Sequence, residues 1–174
     1  MLTIERIREL FVALNDELGR KEVRGEIYLA GGAVMCLVYR SRPATKDIDA
    51  LLVPSADLRD AAARVAGREG LPEGWLNDAV KGFFSTTGRF EVFEELSHLR
   101  IYVPQTEYLF AMKCLALRLG EEFQDLNDVR TLIGALGLKN VSEAEGILAG
   151  YYAPERYPAR TRYILEELLG PTQV

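Results

Sequence analysis

Histidine occurs once in this chain, at His98, and cysteine twice, at Cys36 and Cys114. Neither cysteine belongs to a CxxC or a Cys/His cluster, so a zinc site or a Cys–His nucleophilic pair is excluded on count. Both sit in apolar helical stretches and read as buried thiols of a reducing compartment. No apolar run approaches the ~18 residues that a membrane-crossing helix needs, so no span is expected. Met1 to Arg8 carries a charge every few positions and lacks the apolar core of a secretion signal. The expectation is a cytoplasmic protein with no membrane partner. An excess of basic charge is missing too: 21 Lys and Arg stand against 26 Asp and Glu, for a formal charge of −5. The two signs are interspersed, which argues against a wholly basic nucleic-acid surface and leaves room only for a local basic groove. Internal repeats and low-complexity segments are absent.

What is present is ordinary globular material, 48% apolar and 27% charged. A chain of 174 residues suits one domain, or a core with a helical extension. It buries roughly 70% of its unfolded surface without needing a disulfide or structural metal. Ile4, Ile7, Leu10, Phe11, Leu14 and Leu18 recur at helical spacing, predicting a first helix that ends near Gly19. Ile27 to Ala30 reads as a buried strand stopping at a Gly31-Gly32 turn, with a helix from Ala33 to Tyr39. Ile48 to Val53 reads as a second buried strand closed by Pro54, and Ser55 as the cap of a helix over Ala56 to Arg68. Phe90 to Phe93 and Leu99 to Val103 predict a hairpin around Ser97-His98. Beyond Pro104 the pattern is helical only, over Glu107 to Leu119, Leu126 to Leu136, Ser142 to Tyr151 and Arg160 to Leu169. The expected fold is α/β, a small mixed sheet followed by a helical C-terminal segment. Residues 1–104 form the expected core and residues 105–174 the helical part, with both free to belong to one compact domain.

The chemistry concentrates between Tyr28 and Leu52. Asp47 and Asp49 lie two residues apart at the start of a strand, where alternate side chains share a face. Carboxylates so close repel, and a hard divalent cation such as Mg²⁺ or Mn²⁺ relieves the repulsion. Gly31 and Gly32 allow close backbone approach ahead of a helix N-terminus with unpaired N–H groups. Together they describe a polyphosphate facing carboxylate-held metal, the apparatus of phosphoryl or nucleotidyl transfer. Lys46, Arg40 and Arg42 add positive charge nearby. A P-loop would need Gly-Lys-Ser/Thr after the glycines, where this chain has Gly-Gly-Ala-Val; a dinucleotide fingerprint would need glycine at Met35. Each feature also has a plainer reading: a structural glycine turn, a helix cap with a surface acid, solvated lysines and arginines. Trp75, Tyr151 and Tyr152 read as core or interface residues and His98 as a loop residue. Lys113 shares a helix face with Leu109 and Ala116, so its stem is expected to be partly buried and its ammonium to pair with Asp125 or Asp128.

This stretch resembles the nucleotidyltransferase superfamily that includes DNA polymerase beta and the minimal nucleotidyltransferases. Members place a Gly-Gly or Gly-Ser turn before a helix and an Asp-x-Asp or Glu-x-Asp pair on the next strand. Gly31-Gly32 and Asp47-Ile48-Asp49 stand in that order. Thr45-Lys46-Asp47-Ile48-Asp49 is similar to a prokaryotic branch containing AbiEii-type toxins and uncharacterised relatives. Trp75-Leu76-Asn77-Asp78, Tyr108-Leu109-x-x-Met112-Lys113 and Asp125-x-x-Asp128 extend the likeness to about Leu132.

The resemblance implies Mg²⁺-dependent transfer of a nucleoside monophosphate from a nucleoside triphosphate to an acceptor such as RNA, a protein hydroxyl or a small molecule. Asp47 and Asp49 would be the catalytic metal ligands. Gly31, Gly32 and Lys46 would face the phosphates, and Lys113 is a second phosphate candidate. Active members usually add a third carboxylate on a later strand. Leu99 to Val103 carries none, which leaves Asp78, Glu91 and Glu95, with Asp78 preferred. The rival expectation is a noncatalytic protein of the same fold that binds a nucleotide or a partner protein, as in a toxin–antitoxin pair.

Overall fold

The computed structural model describes residues 1–120 and 123–170. In chain order the elements are β1 (Leu2–Thr3), α1 (Ile4–Arg20), β2 (Gly25–Ala30), α2 (Gly31–Leu37), β3 (Ala44–Thr45), β4 (Ile48–Val53), α3 (Ser55–Glu69), β5 (Leu76–Asn77), β6 (Phe90–Glu95) and β7 (Leu99–Pro104). Four helices follow: α4 (Thr106–Leu115), α5 (Asp125–Leu136), α6 (Val141–Ala149) and α7 (Ala159–Leu169). The protein is α/β, with a mixed sheet and a helical C-terminal segment. Among the described residues no helix is long and apolar enough to cross a membrane.

The five-stranded sheet runs β5-β4-β2-β7-β6. Strand β2 is antiparallel to β4 and parallel to β7, β4 is parallel to β5, and β6 is antiparallel to β7. One face is apolar at alternate positions: Ile27 and Leu29 on β2, Ile48, Ala50 and Leu52 on β4, Leu99 and Ile101 on β7, all buried. Helices α1 and α3 cover it. Leu18 and Leu58 come so near Gly25 that a Cβ there would lie 3.0 Å and 3.2 Å from them. Helix α1 buries Ile7, Leu10, Phe11, Leu14 and Leu18, the stripe its spacing predicts. Glu17 is buried as well, and Arg20 and Arg68 clamp its carboxylate at 2.6 Å and 2.5 Å. Trp75, 1% exposed, donates its indole N–H to the carbonyl of Ala62 at 3.0 Å and so pins the entry of β5 to α3.

Three local expectations change. Helix α2 begins at Gly31 itself, so the two glycines are its first turn and not a turn ahead of it. Ser55 is the first residue of α3, and no side chain caps that helix. Helix α4 ends at Leu115, four residues short of the expected end. The pairing of β1 with β3, Leu2 opposite Thr45, joins segments too short to show a strand pattern.

The chain divides into two compact units: Met1–Gly82 with Phe90–Pro104, and Phe83–Arg89 with the chain from Gln105 on. The excursion of Phe83–Arg89 was not readable as part of the helical unit. It is held there by the Gln105 N–H on the Arg89 carbonyl at 2.9 Å and the Ser85 N–H on the Tyr108 hydroxyl at 2.7 Å. Within this unit Tyr108 stacks on Tyr151, with ring centroids 5.1 Å apart. The ordinary thiol and phenol values of Cys114, Tyr108, Tyr152 and Tyr157 are pushed upward, in each case chiefly by burial.

Candidate functional site

Strand β2 delivers the chain to Ala30, which stands opposite Asp49 on β4. At Gly31 the backbone turns left-handed, φ +63°, and enters α2. Five consecutive α2 residues, Ala33 to Leu37, are buried and anchor the turn from behind. The chain returns through β3, bends at Lys46 and Asp47, and enters β4 at Ile48.

That path brings the two motifs into contact. A Cβ on Gly31 would lie 2.7 Å from the Asp49 Oδ2. A Cβ on Gly32 would lie 2.5 Å from the Thr45 Oγ1 and 3.0 Å from an Arg42 guanidinium nitrogen. Separations below about 3 Å force one of the two groups to move, so a side chain at Gly31 would displace the Asp49 carboxylate and one at Gly32 the Thr45 hydroxyl. Gly31 also holds a left-handed backbone that favours glycine. The glycines therefore admit the carboxylate and the Thr45 hydroxyl, a role different from the backbone approach to a ligand that the sequence suggests. Thr45, 5% exposed, donates its hydroxyl to the Asp47 carbonyl at 3.2 Å and fixes the bend carrying Asp47 into the strand.

Asp47 and Asp49 are each half-buried, whereas Ile48 and Ala50 are wholly buried. This alternation sets Asp49 on the sheet face away from α1 and α3, while Asp47 lies on the bend one residue before β4 begins, not within the strand as its spacing suggests. Lys46 is exposed on the bend, and Arg42 lies against Gly32. Arg40 is exposed with a left-handed backbone, φ 52°.

The candidate third acids stand elsewhere. Strand β5 aligns Asn77, not Asp78, with Asp49. The Asn77 side chain is taken up locally: its Oδ1 accepts the Ala79 N–H at 3.2 Å. The Asp78 carboxylate accepts a hydrogen bond from Arg59 of α3, with Lys81 at 3.9 Å. Its pKa is lowered, first by the Arg59 hydrogen bond. Glu95 pairs with Arg100, Glu94 with Arg8 at 3.2 Å, and Glu91 is exposed on β6. Among the described residues no three His, Cys, Asp or Glu side chains gather as a metal-binding group.

Lys113 belongs to the helical unit. It is 8% exposed, with its ammonium 2.7 Å from Asp128 and 3.9 Å from Asp125. Asp125 also takes Arg118 at 2.9 Å. The carboxylate partners expected from the helix pattern are the ones present, and the phosphate-binding alternative would have to displace them.

Sequence reasoning passed over the aromatic side of the same sheet face. Tyr28 on β2 and Tyr102 on β7 are paired in register and stack with centroids 4.5 Å apart and planes at 3°. Phe90 on β6 meets Tyr28 edge-on at 5.1 Å. The Tyr28 hydroxyl donates to Glu26 at 2.5 Å; burial, then this hydrogen bond, raises its pKa. The signal was in the text of the two strands, Glu26-Ile27-Tyr28-Leu29 and Arg100-Ile101-Tyr102-Val103, which share one alternation. No protein-family model matches the chain, and neither the curated proteins nor the solved structures contain a significant match.

Proposed function

We propose that this protein is a nucleotidyltransferase of the DNA polymerase beta type, acting on a nucleoside triphosphate through a divalent cation. The observation that supports this most directly is the packing of the Asp49 carboxylate over Gly31. A Gly-Gly element and an Asp-x-Asp element that meet only as sequence patterns would carry little; here the space a side chain at residue 31 would take is held by the Asp49 carboxylate.

The donor set suits Mg²⁺ or Mn²⁺, because Asp47 on the bend and Asp49 at the start of β4 offer hard oxygen ligands two residues apart. A bound ion would offset charge on the phosphate oxygens. Asp47 and Asp49 would hold it, and Arg42 and Lys46 would add positive charge toward the phosphates. In the transfer, an acceptor hydroxyl oxygen bonds to the α-phosphorus, the bond from that phosphorus to the bridging oxygen breaks, pyrophosphate leaves, and the hydroxyl proton passes to water. The acceptor classes are RNA, a protein hydroxyl or a small molecule.

A second reading has its own observation. Asp78 is engaged by Arg59, and Asn77 occupies the register position beside Asp49. Two carboxylates with no third beside them among the described residues suit a protein that binds a nucleotide or a protein partner without turnover, as one half of a toxin–antitoxin pair. Two measurements separate the readings. Calorimetry should show triphosphate binding that requires Mg²⁺ or Mn²⁺ and weakens in Asp47→Asn. Labelled-nucleotide transfer to RNA and protein acceptors should occur with wild type and fall by a thousandfold or more in Asp49→Asn, since losing a catalytic metal costs on the order of 4 kcal/mol. Binding without transfer across a broad acceptor panel would leave the noncatalytic reading; binding that ignores both the metal and Asp47→Asn would remove the metal site and with it the catalytic reading.

A further inference from the structure

The sheet face that carries Asp49 continues into a row of groups that the metal site does not use. Along β2 the residues on this face are Ala30, Tyr28 and Glu26, spaced two apart. Ala30 is opposite Asp49, and Tyr28 is opposite Leu51. Tyr28 therefore lies two residues along and one strand across from Asp49, about 8 Å at ~3.3 Å per residue and ~4.8 Å between strands. A nucleotide reaches about that far from its phosphate to its base. Tyr102 stands on the β7 side of Tyr28, so the strand on Tyr28's other side is β4, which carries Leu51 and Asp49.

We infer that the Tyr28–Tyr102 stack, edged by Phe90, is the seat of the nucleobase of a single nucleoside triphosphate whose phosphates lie toward Asp47 and Asp49. The inference rests on the metal-site reading and adds the nucleoside half of the substrate. Tyrosine rings held parallel at 4.5 Å are pre-ordered for another flat ring. Base stacking on such a platform needs no matching hydrogen bonds. Hydrophobic flanks extend it: Val53 on β4 is 44% exposed and Val92 on β6 is 54% exposed.

Charge decides between a mononucleotide and a polynucleotide. Besides Asp49, this face bears Glu26 on β2 and Glu95 on β6, against Arg100, which Glu95 already holds, and Arg24, which lines the same groove just before β2 begins. A strand of RNA laid over the tyrosines would bring its phosphates against those carboxylates, with no basic row to neutralise them. One base seated on Tyr28 brings no phosphate there. Its phosphates fall at the other end of the row, where a divalent cation, Arg42 and Lys46 would stand.

The test compares inorganic tripolyphosphate with ATP, GTP, CTP and UTP, each with Mg²⁺, by calorimetry on the full chain. At least one nucleotide should bind wild type roughly ten- to hundredfold more tightly than tripolyphosphate, the range expected of one stacked base. Tyr28→Leu and Tyr102→Leu should bring that nucleotide to the tripolyphosphate level and leave tripolyphosphate unchanged. Tyr28→Phe keeps the ring and should keep most of the preference, which guards against a variant that merely misfolds. Equal affinity for nucleotide and tripolyphosphate in wild type, or a preference that survives both leucine variants, overturns the base seat while the metal site stands. Single-stranded RNA binding more tightly than any mononucleotide, and lost in Tyr28→Leu, overturns the mononucleotide assignment. Absence of Mg²⁺-dependent tripolyphosphate binding overturns the metal site and this inference together.

Discussion

Asp49 and Gly31 occupy each other's space: the carboxylate Oδ2 sits 2.7 Å from the point where any side chain at residue 31 would begin. Gly31 also holds a left-handed backbone, φ +63°. Two separate requirements thus fall on one residue, and two variants distinguish them. In Gly31→Ala the left-handed strain costs about 1–2 kcal/mol, and the methyl group displaces Asp49. Gly31→Asn tolerates the backbone better but keeps the same clash. Both should lose Mg²⁺-dependent triphosphate binding, with the alanine variant melting lower. Triphosphate binding retained in either variant would mean that the Asp49 carboxylate has no fixed part in the site.

Asp78→Asn should leave Mg²⁺-dependent triphosphate binding close to wild type, because this carboxylate answers to Arg59 of α3. Its effect should instead appear in acid. A carboxylate held below its ordinary value of 3.8 supports the fold above that pH and loses this support as pH falls through its folded value. The difference in melting temperature between wild type and Asp78→Asn should therefore shrink as pH falls below about 4. Loss of triphosphate binding in Asp78→Asn, with the melt unchanged, would return Asp78 to the metal site.

Lys113→Met removes the ammonium between two buried carboxylates, Asp128 at 1% and Asp125 at 5% side-chain exposure. The variant takes the ammonium 2.7 Å from Asp128 and 3.9 Å from Asp125 out of the buried cluster, in which Asp125 also binds Arg118. Breaking one side of a buried ion pair costs about 3–5 kcal/mol, on the order of a 10 °C fall in melting temperature for a chain of this size. Circular dichroism melts read it directly. A stable Lys113→Met protein with impaired triphosphate binding would favour the phosphate role over the structural one.

Alkali should destabilise the helical unit. The unfolded chain ionises Cys114 near 9 and Tyr108, Tyr152 and Tyr157 near 10, whereas burial raises all four in the folded state. Groups raised in this way support the fold fully below their unfolded values, and the support is lost as pH rises toward the folded ones. Melting temperature should begin to fall near pH 9 and fall more steeply above 10, with tyrosinate absorbance rising together with unfolding. Cys114→Ala should move the onset toward 10. A melting temperature that stays level from pH 9 to above pH 10 would show that these groups are not buried as described. The single tryptophan, Trp75, lies in the other unit and reports separately on α3 and β5 through its emission.

Much of this molecule is legible along the chain because its signals are local. The apolar spacing from Ile4 to Leu18 marks α1 to within two residues of its end, and Ile48 to Val53 is β4 as read. Boundaries slip where a local rule competes with packing. Ser55 looks like a cap, yet α3 starts one residue earlier, after Pro54, and α4 stops at Leu115 although its apolar pattern runs on. The stacked tyrosines escaped notice because stacking depends on strand order, and nothing local says that β7 lies beside β2.

The sequence by itself determined the α/β composition, the order of the Gly-Gly and Asp-x-Asp elements, the alternation of Ile48, Asp49 and Ala50 along β4, and the need of Lys113 for an acid. These follow from periodicity and solvation, which act within a few residues. Only the tertiary structure decided that Gly31 yields its space to the Asp49 carboxylate, and that Asn77 rather than Asp78 is registered with Asp49. It also settled that Arg59 takes the Asp78 carboxylate, and that Tyr28 and Tyr102 make one surface. Each of those pairs joins residues 18 or more positions apart. Which of them meet is set by how β4, β2 and β7 pair edge to edge and by how α1 and α3 cover the apolar face, and that balance belongs to the whole chain.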